Sequence, residues 1–237
     1  MNISAHQLIK VTKEQRVFFC GDVHGNFRQL LQQLKDIGFD HDSDILILTG
    51  DIIDRGNENL EMIEYVTQTP RVYSVLGNHE SMFLAAIHDE LVRSIYTSTS
   101  LGGNWIENHT QAELEEMGIL IASCMPIAIT VQREDFQIGV IHAASPPNWQ
   151  DVLSPTDKDT EYHLWSREQF VNAKNNLKAD HIRGIDIVIH GHVCSEITIC
   201  GNQAWIDTSW PTGKLTILES RQLLHLVQKQ PNQKIRK

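Results

Sequence analysis

The stretch Leu76-Gly77-Asn78-His79-Glu80 sets an amide, an imidazole and a carboxylate directly behind the run RVYSV. Two earlier stretches have the same form: Gly21-Asp22-Val23-His24-Gly25-Asn26 follows RVFFC, and Gly50-Asp51-Ile52-Ile53-Asp54-Arg55-Gly56 follows DILILT. Open α/β sheets bind ligands outside the carboxyl ends of their strands, where loops leave the apolar layer and side chains converge. Aspartate, histidine and asparagine are hard oxygen and borderline nitrogen donors, a set suited to manganese, iron or zinc. The glycines beside them allow sharp turns and leave room for a ligand. Further on, Val140-Ile141-His142-Ala143 and Ile189-His190-Gly191-His192 each carry an apolar run into histidine. The potential donors are then Asp22, His24, Asp51, Asn78, His142 and His192. That is too many for one zinc, but it suits two ions sharing a carboxylate, about 3.5–4 Å apart, which clamp the attacking and leaving oxygens of a phosphoryl transfer. A lone Gly-Asp is an ordinary turn, and a lone histidine at a strand end is usually a hydrogen-bonded core residue. The ordered succession of G-D-x-H-G, G-D-x-x-D-R-G and G-N-H-E argues for a metal constellation instead.

To bring these loops together, the apolar runs must be parallel strands. Each is followed by helical spacing, as in Leu30, Leu31, Leu34 and Ile37, and strand-loop-helix repetition predicts right-handed crossovers with the three loops along one sheet edge. From about residue 80 to 125 the pattern predicts a helical and loop insertion beside the site. Within it TSTSLGGNW is a loop with close backbone approach at Gly102 and Gly103, and QAELEEMG is a short helix. Residues 143–163 read as a polar surface loop. From about 126 the runs IAITVQ, FQIGVIH, DIVIHGH, EITICG, QAWIDT, KLTILE and LLHLVQ predict strands, interrupted by helical WSREQFVNAKNNLKAD. The fold class is therefore mixed α/β, with two mixed β-sheets packed face to face as a central sandwich and flanked by helices.

With 237 residues and 41% hydrophobic content, the chain has the size and core of one large domain spanning 1–237. A net charge of −10, from 30 acidic against 20 basic residues, argues against a polyanion-binding surface, so no nucleic-acid partner is expected. Four scattered cysteines without a C-x-x-C pair suit a reducing cytoplasm, and no apolar run approaches a membrane span.

GDVHGN, GDIIDRG and GNHE, with the later IHA and GH, resemble the metal-dependent phosphoprotein phosphatases of the calcineurin-like metallophosphoesterase superfamily. Among these the sequence is most similar to bacterial and bacteriophage-lambda-type serine/threonine phosphatases, from about residue 16 to 220. The resemblance implies a calcineurin-like fold and two divalent metal ions, with manganese as the expected activator and iron or zinc as alternatives. It assigns Asp22 and His24 to the first metal, Asp51 as the bridge, and Asn78, His142 and His192 to the second. It implies His79 as general acid oriented by Asp54, with Arg55, Arg167 in LWSREQF and Asn78 binding the substrate phosphate. The implied substrate is a phosphoprotein or phosphopeptide, acted on by a monomer. In chemical terms, a serine or threonine alkoxide leaves poorly without an acid, and arginine forks match phosphate oxygens.

The sequence departs from the family pattern in places. His190 and His192 lie two apart, so both can compete for one position; the Gly-His pair favours His192. His142 is followed by Ala143-Ala144, where relatives commonly carry Ala-Asp or Ala-Gly. Cys194 stands where nuclease-like members place a histidine. Arg167 also suits a solvated helix start. Trp105 is a candidate cleft wall, whereas Trp149, Trp165, Trp205 and Trp210 suit core or rim equally. Glu80 suits the start of a helix, where the dipole favours a carboxylate. Three functions compete: a phosphoserine/phosphothreonine monoesterase, which also admits phosphotyrosine and aryl phosphates, a diadenosine tetraphosphatase-like hydrolase, and a silent scaffold. The presence of Arg55 and His79 argues against the scaffold.

Overall fold

The computed structural model describes residues 3–98, 100–175, 181–209 and 213–229. Strands β1 (His6–Lys10), β2 (Val17–Cys20), β3 (Ile45–Leu48) and β4 (Val72–Ser74) alternate with α1 (Phe27–Asp36), α2 (Asn59–Gln68) and α3 (Asn78–Ala86). Every residue of β2 and β3 is buried because successive side chains enter two different cores. Phe18, Cys20, Leu46 and Leu48 meet Leu30, Leu34, Met62 and Val66 of the helices. Val17, Phe19, Ile45 and Ile47 face the other way, into the gap between the two sheets. As the strand-helix repeats predict, β2, β3 and β4 are parallel neighbours.

The insertion is more helical than expected. It contains α4 (Glu90–Tyr96), a 3-10 turn over Gly103–Asn108 and α5 (Gln111–Cys124), a full 14 residues rather than a short helix. Thr110 starts α5 by accepting from the Glu113 N–H while Glu113 accepts from the Thr110 N–H, a reciprocal cap.

The second sheet joins β1, β5 (Ala128–Arg133), β6 (Phe136–Ile141), β7 (Ile187–His190), β9 (Gln203–Trp205) and β8 (Thr198–Cys200) in that order. It is mixed: β1/β5, β6/β7 and β7/β9 are parallel, β5/β6 and β8/β9 antiparallel. Ile129, Val131, Ile138, Val140, Ile187 and Ile189 close the inter-sheet core. The last strand, β10 (Ile217–Glu219), returns to the first sheet antiparallel to β2.

Two local expectations are corrected, and one strand appears where none was expected. LLHLVQ lies in helix α8 (Ser220–Gln228), because Leu223 and Val227, four apart, form its buried stripe and Gln222 caps the Glu219 N–H. Residues 143–163 are not a surface loop. Trp149 and Val152 sit in a core with Ile141 and Val188, and α6 (Asp157–Trp165) starts on a Thr156 cap. His6–Lys10, which carries no strand signal of its own, becomes an edge strand by pairing with β5. The helix expected over 165–180 appears as α7 (Glu168–Lys174); residues 176–180 and Trp210 lie outside the described residues. Among the described residues no helix is long and apolar enough to cross a membrane.

Candidate active site

The loops after β2, β3 and β4 and the ends of β6 and β7 meet at one edge of the sandwich. Five of the six described non-glycine residues with positive φ lie there: His24, Asp51, Asp54, Arg55 and His192. Left-handed backbone at such residues costs energy and persists only where surrounding contacts hold it. Glu80 provides much of that hold. Its buried carboxylate accepts from the backbone N–H of Asp51 (2.9 Å), Ile52 (2.9 Å), Ile53 (3.3 Å) and Gly77 (2.8 Å), fastening the β3 loop to the start of α3. Its part is thus larger than a charge at a helix start. Burial, with Asp51 adding to it, raises the Glu80 carboxyl to about 7.

Asp51 is the centre of the arrangement. One ring nitrogen each from His24 and His79 groups with its carboxylate, and one each from His142 and His192 does so as well, all within 4.8 Å in each group. Each of three imidazoles gives its far N–H to a backbone carbonyl: His24 Nδ1 to Ile53 (3.0 Å), His142 Nδ1 to Thr49 (2.7 Å) and His192 Nε2 to Trp165 (3.1 Å). The near nitrogens are thereby aimed inward, as in metal sites. Asn78 Oδ1 lies 2.9 Å from His142 Nε2 and 2.8 Å from His192 Nδ1. Asp22 is buried beside these groups but outside both. It accepts from Thr49 Oγ1 (3.1 Å) and the His192 N–H (3.0 Å).

His190 does not compete for this centre. The chain leaves the strand at Gly191, so His192 turns inward while His190 stacks on Trp205 at 5.0 Å and meets Gln203 Oε1 at 3.1 Å. The departure at Ala143-Ala144 is held by His163, whose carbonyl accepts from Ala143 and whose ring Nδ1 donates to the Ala144 carbonyl.

His79 Nδ1 donates to Asp54 Oδ2 at 2.7 Å, and its Nε2 faces Arg55 Nη2 at 3.1 Å. Arg55 Nη1 also reaches His24 Nε2 at 2.7 Å. Arg55, Arg167, His192, Trp105, Asn104 and Asp207 are among the residues lining an adjoining cleft of about 960 Å³. Arg167 therefore reaches the site and Trp105 forms part of its wall, whereas Trp149 and Trp205 belong to the core. Gly102 packs on the Arg55 backbone, where an added Cβ would lie 2.5 Å from the Arg55 nitrogen, and Gly103 packs on Tyr96 in the same way. The motifs alone do not point to Thr49, Tyr96 or Asp207. Asp207 carried a faint signal as an acid ending the apolar run QAWI.

A profile of the calcineurin-like phosphoesterases matches residues 15–196. The chain belongs to this family. It is 34% identical over 210 residues to Serine/threonine-protein phosphatase 2 of Salmonella typhimurium, which covers 86% of this chain and 93% of that one. It is 40% identical over a shorter 95 residues to a symmetrical bis(5'-nucleosyl)-tetraphosphatase of Buchnera aphidicola, covering 39% of this chain and 32% of that protein. A protein serine/threonine phosphatase from Saccharomyces cerevisiae shares the fold, with a TM-score of 0.58 at 14% identity over 86% of this chain and 71% of the other.

In this calcineurin-like phosphoesterase the electrostatics fit divalent cations. Burial, then Asp207 and Asp51, push the Asp22 carboxyl well above its ordinary value. Burial is the largest influence on His142 and His79 and disfavours their charge, yet Asp51 with the Thr49 carbonyl and Glu80 for His142, and Asp51 with Asp54 for His79, together outweigh it and raise both. Burial draws His24 and His192 down to about 3, leaving lone pairs available for coordination. Converging carboxylates, lone pairs and an amide oxygen demand positive charge, which a dication supplies.

Proposed function

We propose that the protein is a phosphomonoesterase that hydrolyses phosphoserine and phosphothreonine in proteins or peptides, and also accepts phosphotyrosine and small aryl phosphates. The observation that carries this reading is the His79–Asp54 pair at 2.7 Å, buried directly behind Arg55, which lines the cleft together with Arg167. His79, with Nδ1 held by Asp54, is oriented to release a proton from Nε2 to the leaving alkoxide, the step that separates alkyl from activated phosphates. Arg55 and Arg167 offer planar cationic forks for the phosphate oxygens, where negative charge spreads in the transition state. Asn78 joins them on the phosphate while its α3 position keeps it beside His142 and His192.

Two divalent ions, manganese in this reading with iron or zinc as alternatives, would be held by Asp22, His24 and Asp51 and by Asp51, Asn78, His142 and His192; they supply charge neutralisation and water activation. The similarity to the Salmonella phosphatase along 93% of its length supports the protein substrate. The Buchnera relative supports a second reading, a dinucleoside tetraphosphatase. Against it, among the described residues two arginines line the cleft, enough for one phosphate rather than a chain of four. The sparse cysteines favour a cytoplasmic protein, which we take to act as a monomer without nucleic-acid or membrane partners.

The test is phosphate release from a phosphoserine peptide, diadenosine tetraphosphate and an aryl phosphate by metal-stripped protein, with and without added manganese. Peptide hydrolysis that needs manganese and is lost in His79→Asn is the expected result. Cleavage of the dinucleotide alone would replace this reading with the second.

A further inference from the structure

Asp54 accepts more than the His79 proton. Its Oδ2 takes the His79 N–H, while Oδ1 accepts from Tyr96 Oη at 2.5 Å and from Trp105 Nε1 at 2.7 Å. Both donors come from the insertion, 42 and 51 residues along the chain. Tyr96 ends α4 fully buried; Trp105 sits in the 3-10 turn, stacks on Phe83 at 5.5 Å and also lines the cleft. The Asp54 N–H is held as well, by Asn59 Oδ1 at 2.8 Å.

These contacts do a definite job. A carboxylate bonded through one oxygen swings about its Cβ–Cγ bond and carries its partner with it. Two donors on Oδ1 stop that rotation and fix the direction of Oδ2, hence the plane of the His79 ring and the line along which Nε2 points. The Asp54–Arg55 turn is left-handed at both residues, with φ of 72° and 66°, so it needs outside contacts to stay put. The insertion supplies them at its three points: Tyr96, Gly102 and Trp105.

We propose that Tyr96 and Trp105 are positioning residues for the general acid, acting on His79 through Asp54, so that the 96–105 segment is a working part of the leaving-group apparatus. This rests on the phosphomonoesterase reading for its kinetics. Tyr96 is sealed from the cleft and acts only through Asp54, so its loss falls on kcat. Trp105 also faces the substrate space, so its loss falls on kcat and KM together.

The experiment compares Tyr96→Phe and Trp105→Phe with the parent in the manganese-loaded enzyme, on a phosphoserine peptide and on p-nitrophenyl phosphate. Both variants keep the ring and remove the donor. A misplaced acid matters for an alkoxide and little for nitrophenolate, which departs without a proton. Tyr96→Phe is expected to lower kcat on the peptide roughly 10-fold, with a much smaller loss on the aryl ester and KM unchanged. Tyr65→Phe, which removes a partly buried hydroxyl bonded to His41 rather than to a site residue, controls for losing such a hydroxyl elsewhere and leaves both rates as they were. Equal fractional loss on both esters, or no loss on either, overturns the proposal.

A second readout is independent of substrate. In the zinc-loaded protein, the downfield proton signal of His79 Nδ1, identified by its disappearance in His79→Asn, should shift in Tyr96→Phe and Trp105→Phe. An unmoved signal overturns the proposal even if the parent hydrolyses no phosphopeptide; a moved signal in such a protein would sustain the positioning role while the phosphatase reading fell.

Discussion

Glu80 shows how much one side chain carries at this site. Its two oxygens accept four backbone N–H groups from two loops, and burial leaves those donors no water to turn to. In Glu80→Ala each loses a charge-assisted bond, so unfolding in urea should show a loss of about 3 kcal/mol or more, with weakened metal binding because the Asp51 loop is no longer held. A midpoint within error of the parent would contradict that role. The pair His190 and His192 makes a sharper comparison. Metal analysis of His192→Ala should show a lower metal content, whereas His190→Ala should keep the parent's content and lose only packing against Trp205 and Gln203. The reverse pattern would mean that the assignment of the inward ring is wrong. Asp22, His24, Asp51, Asn78 and His79 stand out in the sequence because their motifs are local. Glu80, although inside G-N-H-E, has partners as far as 29 residues away, and a string of letters does not show which N–H groups a carboxylate will reach.

At the level of elements, the strand-loop-helix repeat works because parallel β2, β3 and β4 bring three loops to one edge, and the second sheet adds its own ends beneath them. The join between the sheets is tight at Gly191. A Cβ there would lie 2.0 Å from Asp22 Oδ1 and 2.5 Å from Thr49 Oγ1. Gly191→Ala must therefore displace Asp22 or the His192 turn, and calorimetric titration should show manganese binding at least 10-fold weaker, in line with losing an orienting contact at a metal centre. Unchanged affinity would show that the two sheets can part there without cost. The α8 segment illustrates a limit of periodicity. LLHLVQ is short and apolar enough to suit a strand, and only the cap at Gln222 and the positions of Leu223 and Val227 against the sandwich decide for a helix. In the same way Trp149 and Val152, embedded in a polar-looking stretch, become core because the outer face of the second sheet needs covering.

Across the whole molecule, the buried carboxylates of Asp22 and Asp51, the latter wanting cations around it, make folding and metal binding one equilibrium. Ions that bind only the folded chain stabilise it by about 2.7 kcal/mol at a hundredfold excess over Kd, which for a chain of this size raises Tm by about 5–10 °C. Thermal melts with added manganese should show such a rise, and a chelator should reverse it; a Tm indifferent to both would argue that the carboxylate cluster does not hold metal. The sequence by itself determined the family, the parallel order of the first sheet and the chemistry of the strand-end motifs, because each depends on residues close together along the chain. Only the tertiary structure decided which histidine of 190 and 192 turns inward, that Arg167 reaches the cleft beside Arg55, and that Tyr96 and Trp105 reach back to Asp54. Those choices depend on side chains brought together from distant segments, where packing of the two sheets and the insertion, not local spacing, sets the distances.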